Sequence, residues 1–303
     1  MVIIHIVITE GVRIKMANKS SKNENENLKP VTAVKEIIKD TKKASKSPKI
    51  INPENPTAIP FSVVEAYKNI RVQLTTALDK IGGKAVAISS ANASEGKSTT
   101  SVNIAIILSK LNDKKVIIVD ADIRRGTIHQ KLKIKNDVGC LDILMGEATY
   151  EQAVKHFSPS LDVITCGKMN ANSSEYFDSA EFDTLLKTLK ENYDYVIFDT
   201  PPVNLVSDTL VISKKCDGLL FVIRSEITTY EAFRVALSNT GKLNVNILGV
   251  VLNAVDNNTG KYYKYKYNKN GYNRKYGYGY GGYGYGYGYG YGYGKKSKKP
   301  GKP

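Results

Sequence analysis

The sequence predicts an α/β domain: a mostly parallel sheet with helices on both faces, flanked by disordered termini. Three observations predict it. Short apolar runs recur at 85–89, 116–119, 161–164, 195–198, 218–223 and 247–252. Helical spacing fills the gaps between them, for example at 97–110, 181–191 and 229–237. Continuous apolar strands alternating with helices indicate a sheet buried on both faces. A phosphate-binding loop pattern, ANASEGKS at 91–98, then sits between the first run and the first helix of that series, the context such a loop requires.

The boundaries follow from composition. Residues 1–60 form a leader, rich in Lys, Asn, Ser and Pro after the first fifteen residues, and are expected to be mostly disordered. At 61–78, Val64, Tyr67, Ile70, Leu74 and Leu78 fall near one helical face. The domain is expected over 61–256, and a Tyr/Gly/Lys-rich tail over 257–303. Glycine at every second position of that tail carries too large an entropy loss for a packed core, so it too is expected to be disordered.

Charge is uneven. Of the net +15, residues 1–52 hold eleven basic and five acidic side chains, and 261–303 hold eleven basic and no acidic ones. The body between has 22 basic and 24 acidic residues. Basic ends on a nearly neutral body argue against nucleic acid as the partner. Cys140, Cys166 and Cys216 lack metal-ligand or CxxC spacing and read as core residues of a reduced, cytosolic protein. No apolar run approaches the roughly 18–20 residues of a spanning helix. The run at 2–8 is short, contains His5 and has no basic region before it, unlike a signal peptide. The polar stretch opening at Met16 resembles a more ordinary start, which leaves Met1 and Met16 both open as the true one.

Three elements carry nucleotide chemistry. In the loop, backbone N–H groups and the following helix N-terminus would cradle phosphate oxygens. Lys97 would reach the β- and γ-phosphates and Ser98 would ligate Mg²⁺. Ala91 stands where the pattern has its first glycine. The second element, VIIVDADIR at 116–124, ends in Asp120 and Asp122. Alternate strand residues point the same way, so both could face the loop. The third, YVIFDTPP at 195–202, ends in Asp199, placed to bind Mg²⁺, with Pro201 and Pro202 stopping the strand.

EGKST at 95–99, VDADIR at 119–124, FDTPP at 198–202 and the tyrosine-rich tail together resemble the bacterial tyrosine kinases (BY-kinases) of capsule and exopolysaccharide clusters, in their separate Gram-positive form. The similarity runs from about Phe61 to Asn253 and includes GCLDILMG at 139–146 and GVVLN at 249–253. It implies a P-loop NTPase-like fold related to MinD and ParA, with ATP and Mg²⁺ as cofactors. Lys97, Asp120, Asp122 and Asp199 would be catalytic. Glu95, Gly96, Lys97, Ser98, Thr99 and Asn253 would bind nucleotide, Asn253 as an adenine reader. Ser98, Asp122 and Asp199 would hold the metal, and which of Asp120 and Asp122 is the tyrosine-activating base stays open. Two departures stand out. The family's Pro-Gly before Glu-Gly-Lys is Ala93-Ser94 here, and Ser94 would be strained wherever positive φ is required. The family's helical oligomerisation motif reads Glu65, Lys68, Arg71, with lysine in place of an arginine fork.

Fourteen tyrosines lie between Tyr262 and Tyr293, out of twenty in the chain. Beside an ATP site they read as phosphoacceptors, chiefly Tyr278, Tyr280, Tyr283, Tyr285, Tyr287, Tyr289, Tyr291 and Tyr293. The resemblance further implies autophosphorylation in trans within a homo-oligomer. It also implies a separate transmembrane activator of the polysaccharide co-polymerase type, acting through its cytoplasmic tail, and an opposing tyrosine phosphatase. The location implied is the cytoplasm, at the inner face of the membrane. The alternative is a ParA/MinD-type positioning ATPase. Such proteins carry a lysine early in the loop, where this chain has Asn92, and the MinD-like ones end in an amphipathic helix, where this chain ends in GY repeats.

Overall fold

The computed structural model describes residues 2–7, 50–51, 59–168 and 174–256. Its strands are β1 (Val2–Val7), β2 (Ala85–Ser90), β3 (Val116–Asp120), β4 (Val154–Ser158), β5 (Leu161–Ile164), β6 (Tyr195–Asp199), β7 (Gly218–Arg224) and β8 (Ile247–Asp256). The helices are α1 (Phe61–Ile81), α2 (Lys97–Leu108), α3 (Ile128–Leu132), α4 (Cys140–Leu144), α5 (Tyr150–Ala153), α6 (Ser174–Phe177), α7 (Ala180–Asn192), α8 (Asp208–Lys215) and α9 (Tyr230–Lys242). The expected tail, with all its phosphoacceptor tyrosines, and most of the leader lie outside the described residues.

The strands form one sheet in the order β1-β8-β7-β2-β6-β3-β5-β4. The six from β8 to β5 are mutually parallel, and the two edges run antiparallel. Period-two alternation divides each inner strand between two cores. Val86, Ile88, Ile118, Ile197 and Leu220 face the layer of α1 and α2, with Tyr67, Ile70, Leu74 and Ile104. Ala87, Val119, Phe198 and Phe221 face the other layer, with Phe182, Leu189 and Phe233. Edge-to-face ring pairs seal that second layer: Phe177 with Phe182 at 5.4 Å and Phe221 with Phe233 at 5.5 Å.

Both edges depart from the sequence reading. Residues 2–7, expected within a disordered leader, pair with β8 from Val2↔Asp256 to Val7↔Val250. A run too short to cross a membrane is an ordinary strand length. β4 carries no apolar alternation and is only partly buried, so nothing local marks it. Among the described residues, no helix is long and apolar enough to cross a membrane.

The α1 triplet expected to serve oligomerisation divides between two kinds of contact. Lys68 Nζ bonds Glu65 Oε1 at 2.7 Å on an exposed face, a pairing of small energetic weight. Arg71 instead donates to the Ile107 carbonyl at 3.4 Å, at the C-terminal end of α2, where a cation suits the helix dipole.

One close approach fixes the segment that flanks the site. A Cβ on Gly139 would collide with the backbone of Thr165 and Gly167, while Cys140 N donates to Thr165 O at 2.7 Å and Leu141 N to Cys166 O at 3.1 Å. Replacing Gly139 by Ala is expected to destabilise the chain by about 1–3 kcal/mol, the usual range for overpacking. Urea unfolding of Gly139→Ala checks this.

Candidate active site

The site forms where the parallel strands β2, β3, β6, β7 and β8 end, the customary ligand edge of such sheets. Residues 91–96 leave β2 and feed α2, whose first residue is Lys97. Gly96 caps the helix at φ 95°. Ser94 lies in the left-handed region at φ 63°, so the strain foreseen for the missing glycine is present.

Lys97 Nζ is gripped by Asp122 Oδ2 at 2.8 Å, with Asp199 Oδ2 at 3.7 Å and Ser98 Oγ at 3.2 Å. The β3–β6 register sets Asp120 directly beside Asp199. Asp122 lies past the end of β3, so alternation along a strand is not what aims it; a turn closed by Arg125 N on Asp122 Oδ1 at 3.0 Å does. Asp199 Oδ1 accepts from Ser101 Oγ at 2.9 Å, and Asp120 Oδ2 accepts from Ile128 N at 3.0 Å. Thr99 is buried on the first turn of α2.

Packing carboxylates this densely alters their proton affinity. Burial, then repulsion from Asp199, pushes the Asp120 carboxyl up to about 8. Burial likewise raises Asp199, against the opposing pull of Lys97. Burial alone would lower Lys97, but Asp199 and Asp122 outweigh it and the ammonium is held above its ordinary value. Burial depresses the neighbouring Lys131. Asp120 Oδ1 and Asp199 Oδ2 are buried without hydrogen-bond partners. Unpartnered carboxylate oxygens beside a lysine and a helix N-terminus are the donor set that a hard cation and phosphates require, so the residues fit Mg²⁺-nucleotide.

Two residues expected to be nucleotide ligands also make contacts within the protein. Asn253, expected at adenine, is fully buried. Its Nδ2 donates to the Glu95 carbonyl at 3.0 Å and its Oδ1 accepts from Ala254 N at 2.8 Å, so both ends of the amide are engaged in bracing the loop. The Glu95 side chain points inward, accepting from Thr228 Oγ1 at 2.7 Å, and burial raises its pKa. Its backbone remains part of the loop. Arg224 Nη1 donates to Ser94 O at 3.1 Å. Sequence alone does not single out Thr228 or Arg224; their one legible sign is position at and just past the end of a predicted strand.

Two outcomes follow. Ser94→Gly removes an unfavourable left-handed residue and is expected to stabilise the chain by about 1 kcal/mol, read by urea unfolding. Asp120 holds a proton in the folded state that the unfolded chain releases near pH 4. Stability is therefore expected to fall as pH rises from about 4 to about 8. Asp120→Asn should raise the melting temperature more at pH 8 than at pH 5, and equal gains at both would contradict the shift.

Comparison with known proteins agrees with this geometry. An AAA domain family model matches residues 83–244. Tyrosine-protein kinase YwqD of Bacillus subtilis is 35% identical over 190 residues, spanning 62% of this chain and 80% of that protein. CapB of Staphylococcus aureus is 30% identical over 207 residues, spanning 67% and 90%. The kinase domain of Escherichia coli tyrosine kinase ETK superposes with a TM-score of 0.65 at 29% identity, covering 79% of this chain and 88% of that one. The chain spans only 27% of the length of tyrosine-protein kinase ptk of Acinetobacter johnsonii, to which it is 33% identical. The chain belongs to the bacterial tyrosine-kinase (BY-kinase) family, in the separate Gram-positive form to which YwqD and CapB correspond.

Proposed function

We propose that the chain is an ATP-dependent protein-tyrosine kinase that phosphorylates the tyrosines of its own tail, in trans between subunits. The observation that carries this reading is Lys97 held among Asp120, Asp122 and Asp199, in a chain with fourteen tyrosines between Tyr262 and Tyr293.

Phosphoryl transfer depends on positioning and charge neutralisation more than on a special nucleophile. The N-terminus of α2 and Lys97 bind the phosphates. An incoming phosphate competes with Asp122 for Lys97, freeing Asp122 to join Ser98 and Asp199 as metal ligands. Mg²⁺ supplies charge neutralisation at the transferred group. Asp120 is the proton acceptor: its Oδ1 has no competing partner, and a cation held by Ser98, Asp122 and Asp199 would oppose the burial and Asp199 repulsion that keep its carboxyl protonated without nucleotide.

The tail suits the substrate role. Glycine between tyrosines lets any phenol enter without steric penalty. A Gly-rich stretch of about twenty residues reaches roughly 25 Å, enough for a neighbouring subunit at an effective concentration in the mM range. The partners we infer are a transmembrane co-polymerase whose cytoplasmic tail activates the kinase at the inner membrane face, and a tyrosine phosphatase that resets it. The process served is capsule or exopolysaccharide synthesis and export.

The test is incubation with Mg-ATP, with and without a fused activator tail, read by intact mass. A ladder of added phosphates is expected, reduced on the order of 10²–10³-fold in rate by Lys97→Met and absent after truncation at Asn257. ATP hydrolysis with no added mass, even with the activator, would replace this reading with a positioning ATPase.

A further inference from the structure

Behind the nucleotide cluster, Asp120 has a second set of neighbours. Asp120, His129 and Cys166 each offer a ligand atom, and these atoms all lie within 4.8 Å of one another. They come from the end of β3, from α3 and from the residue pair just past β5. The β3–β5 register pairs Val119 with Ile164, so Cys166 follows naturally beside Asp120.

We propose that Asp120, His129 and Cys166 form a site for a zinc-class divalent cation, distinct in chemistry from the Mg²⁺ set and inhibitory toward it. Four features carry this. First, thiolate, imidazole and carboxylate together select a borderline-soft ion, whereas Mg²⁺ takes oxygen ligands. Second, the site has unspent bonding capacity: Asp120 Oδ1 and His129 Nδ1 are both buried without hydrogen-bond partners, and a bound ion is one of the ways such atoms are satisfied. Third, Cys166 can be spared. Its Sγ makes only long contacts, 3.5 Å to Asn136 Oδ1 and 3.7 Å to Gly167 O, and Asn136 Oδ1 keeps Gly167 N at 2.9 Å if the thiol turns away. Fourth, Gly126 leaves the space open: a Cβ there would collide with Cys166 Sγ and come within 2.8 Å of Asp120 Oδ2.

Bonds of about 2.0–2.3 Å place tetrahedral ligand atoms roughly 3.3–3.8 Å apart. The present spread of up to 4.8 Å therefore closes by about 1 Å, within reach of side-chain rotation. Three protein ligands leave one position for water. Binding forms a metal–sulfur bond and releases to solvent the thiol proton and the proton that Asp120 holds. It also commits the Asp120 carboxylate to the ion, withdrawing it from the acceptor role given above; this inhibitory half rests on the kinase reading, and the binding half does not.

The test is titration of the full chain with Co²⁺ under a phosphine reductant, without nucleotide, read by absorption. A thiolate-to-cobalt charge-transfer band with tetrahedral d–d bands, saturating at one equivalent and displaced by Zn²⁺, is expected. Cys166→Ala should lose the charge-transfer band, and His129→Gln, shown folded by circular dichroism, should weaken binding at least about tenfold. No such band, or a band unchanged in Cys166→Ala, overturns the site. In the second arm, Zn²⁺ should suppress tail phosphorylation in the native chain and leave Cys166→Ala active. Equal suppression of both overturns the inhibitory role. The cobalt readout needs no phosphoryl transfer, so a chain inactive as a kinase still tests the metal site.

Discussion

The structure depends on balancing a cluster of buried carboxylates against Lys97. Parallel pairing of β3 with β6 places Asp120 and Asp199 side by side, both completely buried. Neither would readily ionise alone in that setting. Lys97 meets Asp122 and Asp199 directly, and the Ser101 hydroxyl adds a bond to Asp199. The strain that remains shows in the raised proton affinity of Asp120. A group that destabilises the fold where it would act is what a functional origin predicts, and it explains why an amide there should stabilise the chain.

Lys97 can hold that position only if the loop before it is rigid, and the loop is poorly suited to rigidity by its own residues. Ser94 occupies a left-handed conformation without glycine's freedom. The surrounding strand ends compensate. Asn253 from β8 holds the Glu95 carbonyl, Arg224 from β7 holds the Ser94 carbonyl, and Thr228 holds the Glu95 carboxyl. Loop geometry is therefore fixed from outside before nucleotide arrives, the arrangement by which preorganised dipoles act without reorganising during reaction.

This division explains what is legible in the sequence. The inner strands are readable because burial on both faces forces unbroken apolar runs, and Asp199 is readable because a charge ending such a run has few structural uses. Asp120 follows from the same logic, and Lys97 and Ser98 from the loop pattern between the first strand and its helix. β4 is not readable, since an edge strand half-exposed to water needs no apolar pattern. β1 passes for leader because a six-residue run carries no mark of its partner about 250 residues away. The hydrogen bond from Asn253 to the Glu95 carbonyl is not readable, because a backbone carbonyl has no side-chain identity to read. Arg224 and Thr228 escape for the same reason: what they brace is the loop's backbone and an inward-turned glutamate, neither of which leaves a spacing pattern.

The sheet order gives Asp120 a place that no local reading supplies. β3 lies between β6 and β5, so its terminal carboxylate has Asp199 on one flank and Cys166 on the other. Toward β6 it belongs to an oxygen-rich, lysine-balanced cluster. Toward β5 it meets sulfur and imidazole, among which two polar atoms lack partners. An ion at the proposed site on the β5 side would act on the β6 side without touching it, by withdrawing the Asp120 carboxylate from its acceptor role. Competition for Asp120 thus needs no conformational change beyond side-chain rotation. It is a direct consequence of where β5 places its cysteine.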